Sequence, residues 1–282
     1  MWCSAPETQN EIVSGLQLKR TESDQNSMGF LIHKNISIDD VETTVSRRKI
    51  LKRKKFLRKT YIDWYEIFLS ELEGTDGTTL EIGSGAGFLK EIIPHVITSE
   101  MLKVPHVDVI LDGLFLPFEN ALGAIVMTDV FHHLNDASVF LQGAANALKT
   151  NGLIIMIEPW VTPWSRSIYK NLHHEPFVPE AREWSFPKCG PLSGANGALP
   201  WIVFERDRHI FEQKFPILRL KKVKPFMPIR YLMSGGFTTR FGTPSFFYQP
   251  VKRFEGLLEP FMNWLGMFAL IVLEKYGAPK GY

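Results

Sequence analysis

The chain has 282 residues, 45% hydrophobic and 22% charged, which is globular composition for one large or two small domains and excludes a disordered chain. Thirty-two Lys and Arg against 30 Asp and Glu leave a net charge of +2, so the bulk field selects no class of partner and only local patches carry information. The two cysteines, Cys3 and Cys189, lack metal-type spacing and point to a reducing, cytoplasmic compartment. The N-terminal MWCSAPETQNE has no secretory pattern, and the late apolar run LGMFALIVL falls short of the roughly 20 residues a bilayer span needs.

In chain order, residues 1–45 are polar and weakly patterned and read as a flexible leader. Residues 46–74 read as an amphipathic helical extension of one helix or two, with Ile50, Leu57, Tyr61, Trp64, Tyr65, Phe68, Leu69 and Leu72 at helical spacing. From 75 to 282 the pattern is that of an α/β domain. TTLEIG is a strand, and 88–93 a short helix stopped by Pro94. HVITSE, VDVILD and the doubly apolar LGAIVMTDV are further strands. DASVFLQGAANALK is a helix with Asp136 near its N-cap, Thr150-Asn151-Gly152 a turn, and LIIMIEP a fifth strand. Alternating strands and helices predict a mostly parallel sheet covered on both faces. The alternation then breaks. Residues 160–200 and 227–265 are two aromatic insertions, separated by helix signals at 204–215 and the strand LRLKKVKPF, and MFALIVLEK is the last strand.

The stretch LEIGSGAG (residues 80–87) puts three glycines at alternate positions after the first strand, a loop that lets backbone approach a ligand without a Cβ clash. A dinucleotide, a nucleoside triphosphate and S-adenosylmethionine all use such turns. The dinucleotide fingerprint needs glycine where Phe88 stands. The P-loop needs Lys-Ser or Lys-Thr where the chain has GFLK. Glu81 suits a cationic ligand better than a phosphate. By itself the loop leaves the ligand open.

Four segments in order carry a resemblance to class I S-adenosylmethionine-dependent methyltransferases, particularly the quinone-biosynthesis and small-molecule group: LEIGSGAG, LDGLFLPFEN, MTDVFHHLND and LKTNGLIIMIEP. The match in motif detail covers about residues 75 to 158 and extends more weakly to 275. It implies a Rossmann-like seven-stranded sheet, with the last two strands as a closing antiparallel hairpin, and S-adenosylmethionine as cofactor. It further implies that Glu81, Gly83, Ser84 and Gly85 face the methionine part and ribose, and that Gly87 allows close helix packing. Asp112 would accept from the adenine amino group, with Gly113 and Leu114 beside the ring. Thr128 and Val130 would line the methyl donor. Glu100 would take the ribose hydroxyls, although the short helix before it leaves its register open.

Methyl transfer needs alignment above all, and at a hydroxyl acceptor also a base of near-neutral pKa. His132, beside His133, and the pair His173 and His174 in NLHHEPF are candidates, set against readings as packing or as a self-bonded structural segment. Glu158, ending the fifth strand, could act as base, orient a histidine or pair with an arginine. Adjacent histidines diverge in regular structure and no spaced second ligand set exists, so no metal is assigned. Trp160, Trp164, Trp184 and Trp201 either enclose an apolar acceptor or build a subdomain core, and PLSGANGALPW reads as a mobile glycine loop. Nine basic residues within 47–59 fit a solvated helix face, nucleic acid or an anionic membrane. The acids that follow, and the lack of a recognition module, disfavour nucleic acid. The expectation is methyl transfer to a small molecule at oxygen, on an apolar or lipid-linked acceptor, with peripheral membrane contact. The rival readings are an RNA or protein methyltransferase using the basic helix, a nicotinamide-dependent oxidoreductase, and a non-catalytic binder.

Overall fold

The computed structural model describes residues 37–172, 175–187, 190, 192–237, 239 and 242–277. Strands β1 (Thr78–Ile82), β2 (Ile97–Glu100), β3 (Val109–Ile110), β4 (Leu122–Thr128), β5 (Leu148–Pro159), β6 (Leu218–Phe226) and β7 (Phe268–Lys275) form one sheet of order β3-β2-β1-β4-β5-β7-β6. β1 to β5 pair in parallel, while β7 runs antiparallel to both β5 and β6. The reversal between β1 and β4 puts a crevice at the carboxyl ends of the central strands, the usual ligand position in an open α/β sheet.

Residue alternation along the strands feeds two cores. On one face Ile82, Ile125, Met127, Ile154 and Met156 pack on α3 (Ala137–Ala147) and α6 (Arg208–Lys214) through Phe140, Leu141, Ala144 and Phe211. On the other, Ala124, Val126, Ile155 and Ile157 pack on α1 (Val41–Arg53) and α2 (Lys55–Glu71) through Leu51, Leu57, Trp64, Tyr65 and Phe68. Strands apolar on both faces are the sequence consequence of two covered faces. Asp136 caps α3, accepting from Ser138 N at 2.9 Å and Val139 N at 3.1 Å.

The elements differ from the sequence expectations in three places, and in one, the choice between one helix and two in the extension, they decide what the sequence left open. The first helix starts at Val41, so 41–45 are helical; residues 1–36 of the expected leader lie outside the described residues, as do Cys3 and Cys189. The extension divides at Lys54, whose ψ of 89° leaves the helical region while its ammonium bonds the carbonyls of Gly236 (2.8 Å) and Thr239 (2.7 Å). Thr150-Asn151-Gly152 is not a turn between elements but part of β5: Asn151 takes φ 65° and the β4–β5 register shifts beside it. The expected helix over 204–215 is a short turn α5 (Leu199–Trp201), a π-turn at Ile202–Arg206 and then α6, the π-turn closing with Asp207 N–H donating to Ile202 O at 2.8 Å.

The first insertion, between β5 and β6, carries α4 (Pro163–Leu172). The second, between β6 and β7, carries α7 (Arg230–Ser234), α8 (Tyr248–Leu257) and α9 (Met262–Leu265).

Candidate active site

The glycine loop leaves β1 with left-handed backbone at Gly83 (φ 67°) and Gly85 (φ 45°). A Cβ at Gly83 would lie 2.6 Å from Val130 Cγ2, so glycine is required where the β1 and β4 loops meet. One at Gly87 would lie 2.7 Å from Tyr65 Oη, because α2 packs directly on the loop and Tyr65 accepts from Phe88 N at 3.2 Å. Phe88, which breaks the dinucleotide pattern, is buried under Tyr65 and the Arg58 guanidinium, 4.4 Å above its ring.

Two buried acids brace this loop. Glu100, at the end of β2, accepts from Gly85 N at 2.8 Å and Met101 N at 2.7 Å, which fixes the register that the sequence left open. Its carboxyl is raised by burial, against those hydrogen bonds. Glu81 accepts from Ser84 Oγ at 2.6 Å, and burial pushes its carboxyl up to about 7, with Glu100 adding and Ser84 and Arg48 opposing. Beyond β3, Asp112 accepts from Leu114 N at 2.9 Å and so shapes the turn holding Gly113. Glu100, Asp112, Gly113, Leu114, Gly83 and Val130 line one cleft, with His133 on its wall and Gly190, Leu192 and Gly194 from the first insertion over it. Thr128 lies just outside this lining, and its buried hydroxyl finds no partner among the described residues. Among the described residues two carboxylates and no Lys or Arg line the cleft, a poor surface for a pyrophosphate and a good one for ribose hydroxyls and an exocyclic amine.

A second group gathers at the ends of β4 and β5. Glu158, fully buried, accepts from Val130 N and Phe131 N, both at 2.8 Å, and from His132 Nδ1 at 2.8 Å. Its oxygens are thus spent on the turn after β4 and on orienting His132, one of the three roles the sequence allowed. His132 Nε2 lies 3.6 Å from Glu175, and His133 Nε2 lies 4.0 Å from it. Burial pulls His132 down, but Glu158, Glu175 and Asp129 outweigh it and hold the imidazole protonated well above its ordinary value. Burial and that charge lower His133 to about 4, so it is neutral.

Asp129 has no place in the sequence expectations. It sits in left-handed backbone (φ 61°) between β4 and the His132 turn. Burial pushes its carboxyl up to about 7, His132 opposing and Glu158 and Glu175 adding. The phenols of Tyr61, Tyr169 and Tyr231 are each raised, by burial first and then with this carboxylate adding. The signal was present in the MTDV segment, but an Asp after a strand is too common to single out.

His173 and His174 lie outside the described residues; their neighbour Glu175 reaches the cluster. The four tryptophans do not line the cleft. Trp160 and Trp184 are core, Trp184 donating to Asp207 at 2.9 Å; Trp164 donates to Pro228 O at 2.9 Å; Trp201 borders a separate depression of about 440 Å³ beside β6, which holds none of the site residues. The glycine loop over the cleft is fastened where it was expected to be mobile: Asn196 N donates to His132 O at 2.9 Å, and His133 Nδ1 to Gly194 O at 3.0 Å.

No protein-family model matches the chain, and no curated protein matches it in sequence. Solved structures do. A putative methyltransferase of Haloferax volcanii, in complex with the Trm112 methyltransferase activator, superposes with a TM-score of 0.50 at 14% identity, over 87% of this chain and 100% of that one. A geranyl diphosphate C-methyltransferase from Streptomyces coelicolor A3(2), with Mg2+, geranyl diphosphate and S-adenosyl-L-homocysteine, matches at 11% identity and TM-score 0.45 over 78% and 80% of the two chains. A putative sarcosine dimethylglycine methyltransferase from Galdieria sulphuraria matches at 14% and 0.43 over 78% and 88%.

Proposed function

The chain has the fold of class I S-adenosylmethionine-dependent methyltransferases, and we propose that it transfers the methyl group of that donor to an oxygen of an apolar or lipid-linked small molecule. The observation that carries the reading is the cleft: a glycine cradle closed by Val130, with Glu100 and Asp112 as acceptors and, among the described residues, no basic lining. The donor, when bound, presents an electrophilic methyl on a sulfonium, and attack by an acceptor lone pair breaks the carbon–sulfur bond and leaves S-adenosylhomocysteine.

Glu100 takes the ribose hydroxyls and Asp112 the adenine amine, with Gly113 and Leu114 along the ring. Glu81, Ser84, Gly85 and Gly87 shape the methionine end, and Thr128 and Val130 border the transferred methyl. Asp129 accepts the acceptor's proton, since its carboxyl sits near 7 where a neutral-pH base is most effective. His132, pinned by Glu158, balances the carboxylates around it and positions the acceptor; it is a positioning residue, as is Glu158. His173 and His174, the other catalytic candidates from the sequence, lie outside the described residues. Residues 75–282 form the catalytic domain, and the insertions 160–200 and 227–265 supply the acceptor pocket. The aromatic and apolar composition of the two insertions favours an apolar acceptor.

The test is incubation with methyl-labelled donor and a total lipid extract. Label is expected in the organic phase, sharply reduced by Asp129→Asn with donor binding retained. Label confined to added RNA or protein would transfer the reading to the macromolecular rival, and no label with any acceptor would leave only a binder.

A further inference from the structure

We propose that the outer face of the second insertion docks the protein on an anionic lipid bilayer. A 3-10 turn at Ser245–Phe247, α8, a second 3-10 turn at Glu259–Phe261 and α9 make a nearly continuous helical path. Its inner face is Tyr248, Glu255 and Met262, seven residues apart and buried. Its outer face is Phe247, Phe254, Leu257, Phe261 and Trp264, spaced by sevens and threes and between 43% and 76% exposed, with the Phe246 ring tilted against that of Phe247 at 4.2 Å. Isolated apolar side chains on a surface need no explanation, but six large ones along one helical face do.

The charges choose the occupant. Both acids of the run are spent: Glu255 is buried against Arg230, and Glu259 pairs with Lys224 at 2.9 Å. Arg253 stands exposed among the aromatic side chains. At the Phe246 end, Lys59 bonds Ser245 O at 3.3 Å, and Lys55, one turn earlier on α2, is exposed. Phe and Trp with a basic margin are the composition of a helix lying in a membrane interface. The path also bends at Leu258 and Pro260, so it offers no straight seam to a helical partner, whereas a bilayer imposes no register. The inner side of the same insertion stacks Tyr231 on Trp64 at 5.7 Å and brings it into the field of Asp129. Docking by the outer face therefore sets the acceptor side against the bilayer. Only this last step, an acceptor drawn from the bilayer, rests on the reaction proposed above.

The test uses the full chain without methyl donor, sedimented with phosphatidylcholine vesicles and with phosphatidylcholine–phosphatidylglycerol vesicles. Expected are preferential binding to the anionic vesicles, weakening as salt is raised, and a blue shift of tryptophan emission. Phe254→Ser combined with Leu257→Ser should reduce partitioning at least about tenfold with the melting temperature kept; Leu257→Ser alone, at the most exposed position, serves if the pair destabilises the fold. Lys55→Glu should weaken binding to the anionic vesicles only. Parent protein that ignores both vesicles, or variants that bind as well as the parent, would overturn the proposal. A concentration-dependent dimer abolished by the double variant, without vesicle binding, would give the face to a second copy instead. Vesicle binding by a chain that binds no methyl donor would refute the reaction and leave the docking standing.

Discussion

In the proposed reaction Asp129 is the base, and its left-handed backbone and its burial belong to one turn after β4. The turn after β4 must deliver three N–H groups to Glu158, and the left-handed φ at Asp129 aims that turn. Burial raises the carboxyl to about 7, with Glu158 and Glu175 adding and His132 opposing. A base acts only when ionised, so kcat is expected to rise as pH increases through about 7, and Asp129→Asn should remove that limb of the pH–rate profile. Glu81 gives a separate prediction on stability. Its folded carboxyl titrates near 7 against an ordinary 4.5, so the folded chain keeps a proton that the unfolded chain releases. That stabilisation is complete below about 4.5 and lost as pH rises through about 7, a span worth roughly 3 kcal/mol. Urea denaturation at pH 5 and pH 8 should show the parent losing about that much more than Glu81→Gln. Glu100 and Asp112 were legible because each ends a recognisable strand. Asp129 was not, because its environment comes from Glu158 and Glu175, 29 and 46 residues away by their numbering.

At the scale of elements, periodicity located every strand, and tertiary contacts decided the boundaries. Asn151 and Gly152 carry turn chemistry, yet β5 runs through them because β4 supplies a partner on the far side of the bulge. In sequence the basic run of α1 and α2 fits a solvated helix face or a ligand surface. Much of it is structural: Arg48 donates to Gly87 O and approaches Glu91 at 3.7 Å, Arg58 pairs with Glu91 at 3.2 Å, and Lys54 caps carbonyls of the second insertion. No periodicity can show which of nine cations find partners. The second insertion is held to α2 by Arg230, buried between Asp63, Glu255 and Tyr248. Arg230→Met would leave two acids with Lys252 alone as cation, at 2.9 Å from Asp63. It should cost about 3–5 kcal/mol, read as a lowered urea midpoint, whereas Arg253→Met on the outer face should leave stability unchanged.

For the molecule as a whole, the parallel half of the sheet builds the donor cleft, while the N-terminal helices and the two insertions enclose the space beyond it. The first half follows a pattern that sequence displays openly, since a glycine loop and strand-end acids have fixed places in an open α/β sheet. The second half was visible only as aromatic composition. Composition could not separate the aromatic side chains that became core, such as Trp160, Trp184, Tyr61 and Tyr169, from exposed ones such as Phe246 and Trp264. Among the described residues no helix is long and apolar enough to cross a membrane.

Calorimetric titration with S-adenosylhomocysteine, alongside NADH, tests the donor cleft most directly. One binding site for S-adenosylhomocysteine is expected, weakened by about 1–3 kcal/mol in Asp112→Ala through loss of a buried acceptor, with no heat from NADH. Binding of NADH, or no binding of S-adenosylhomocysteine at any pH at which the chain is folded, would contradict the assignment.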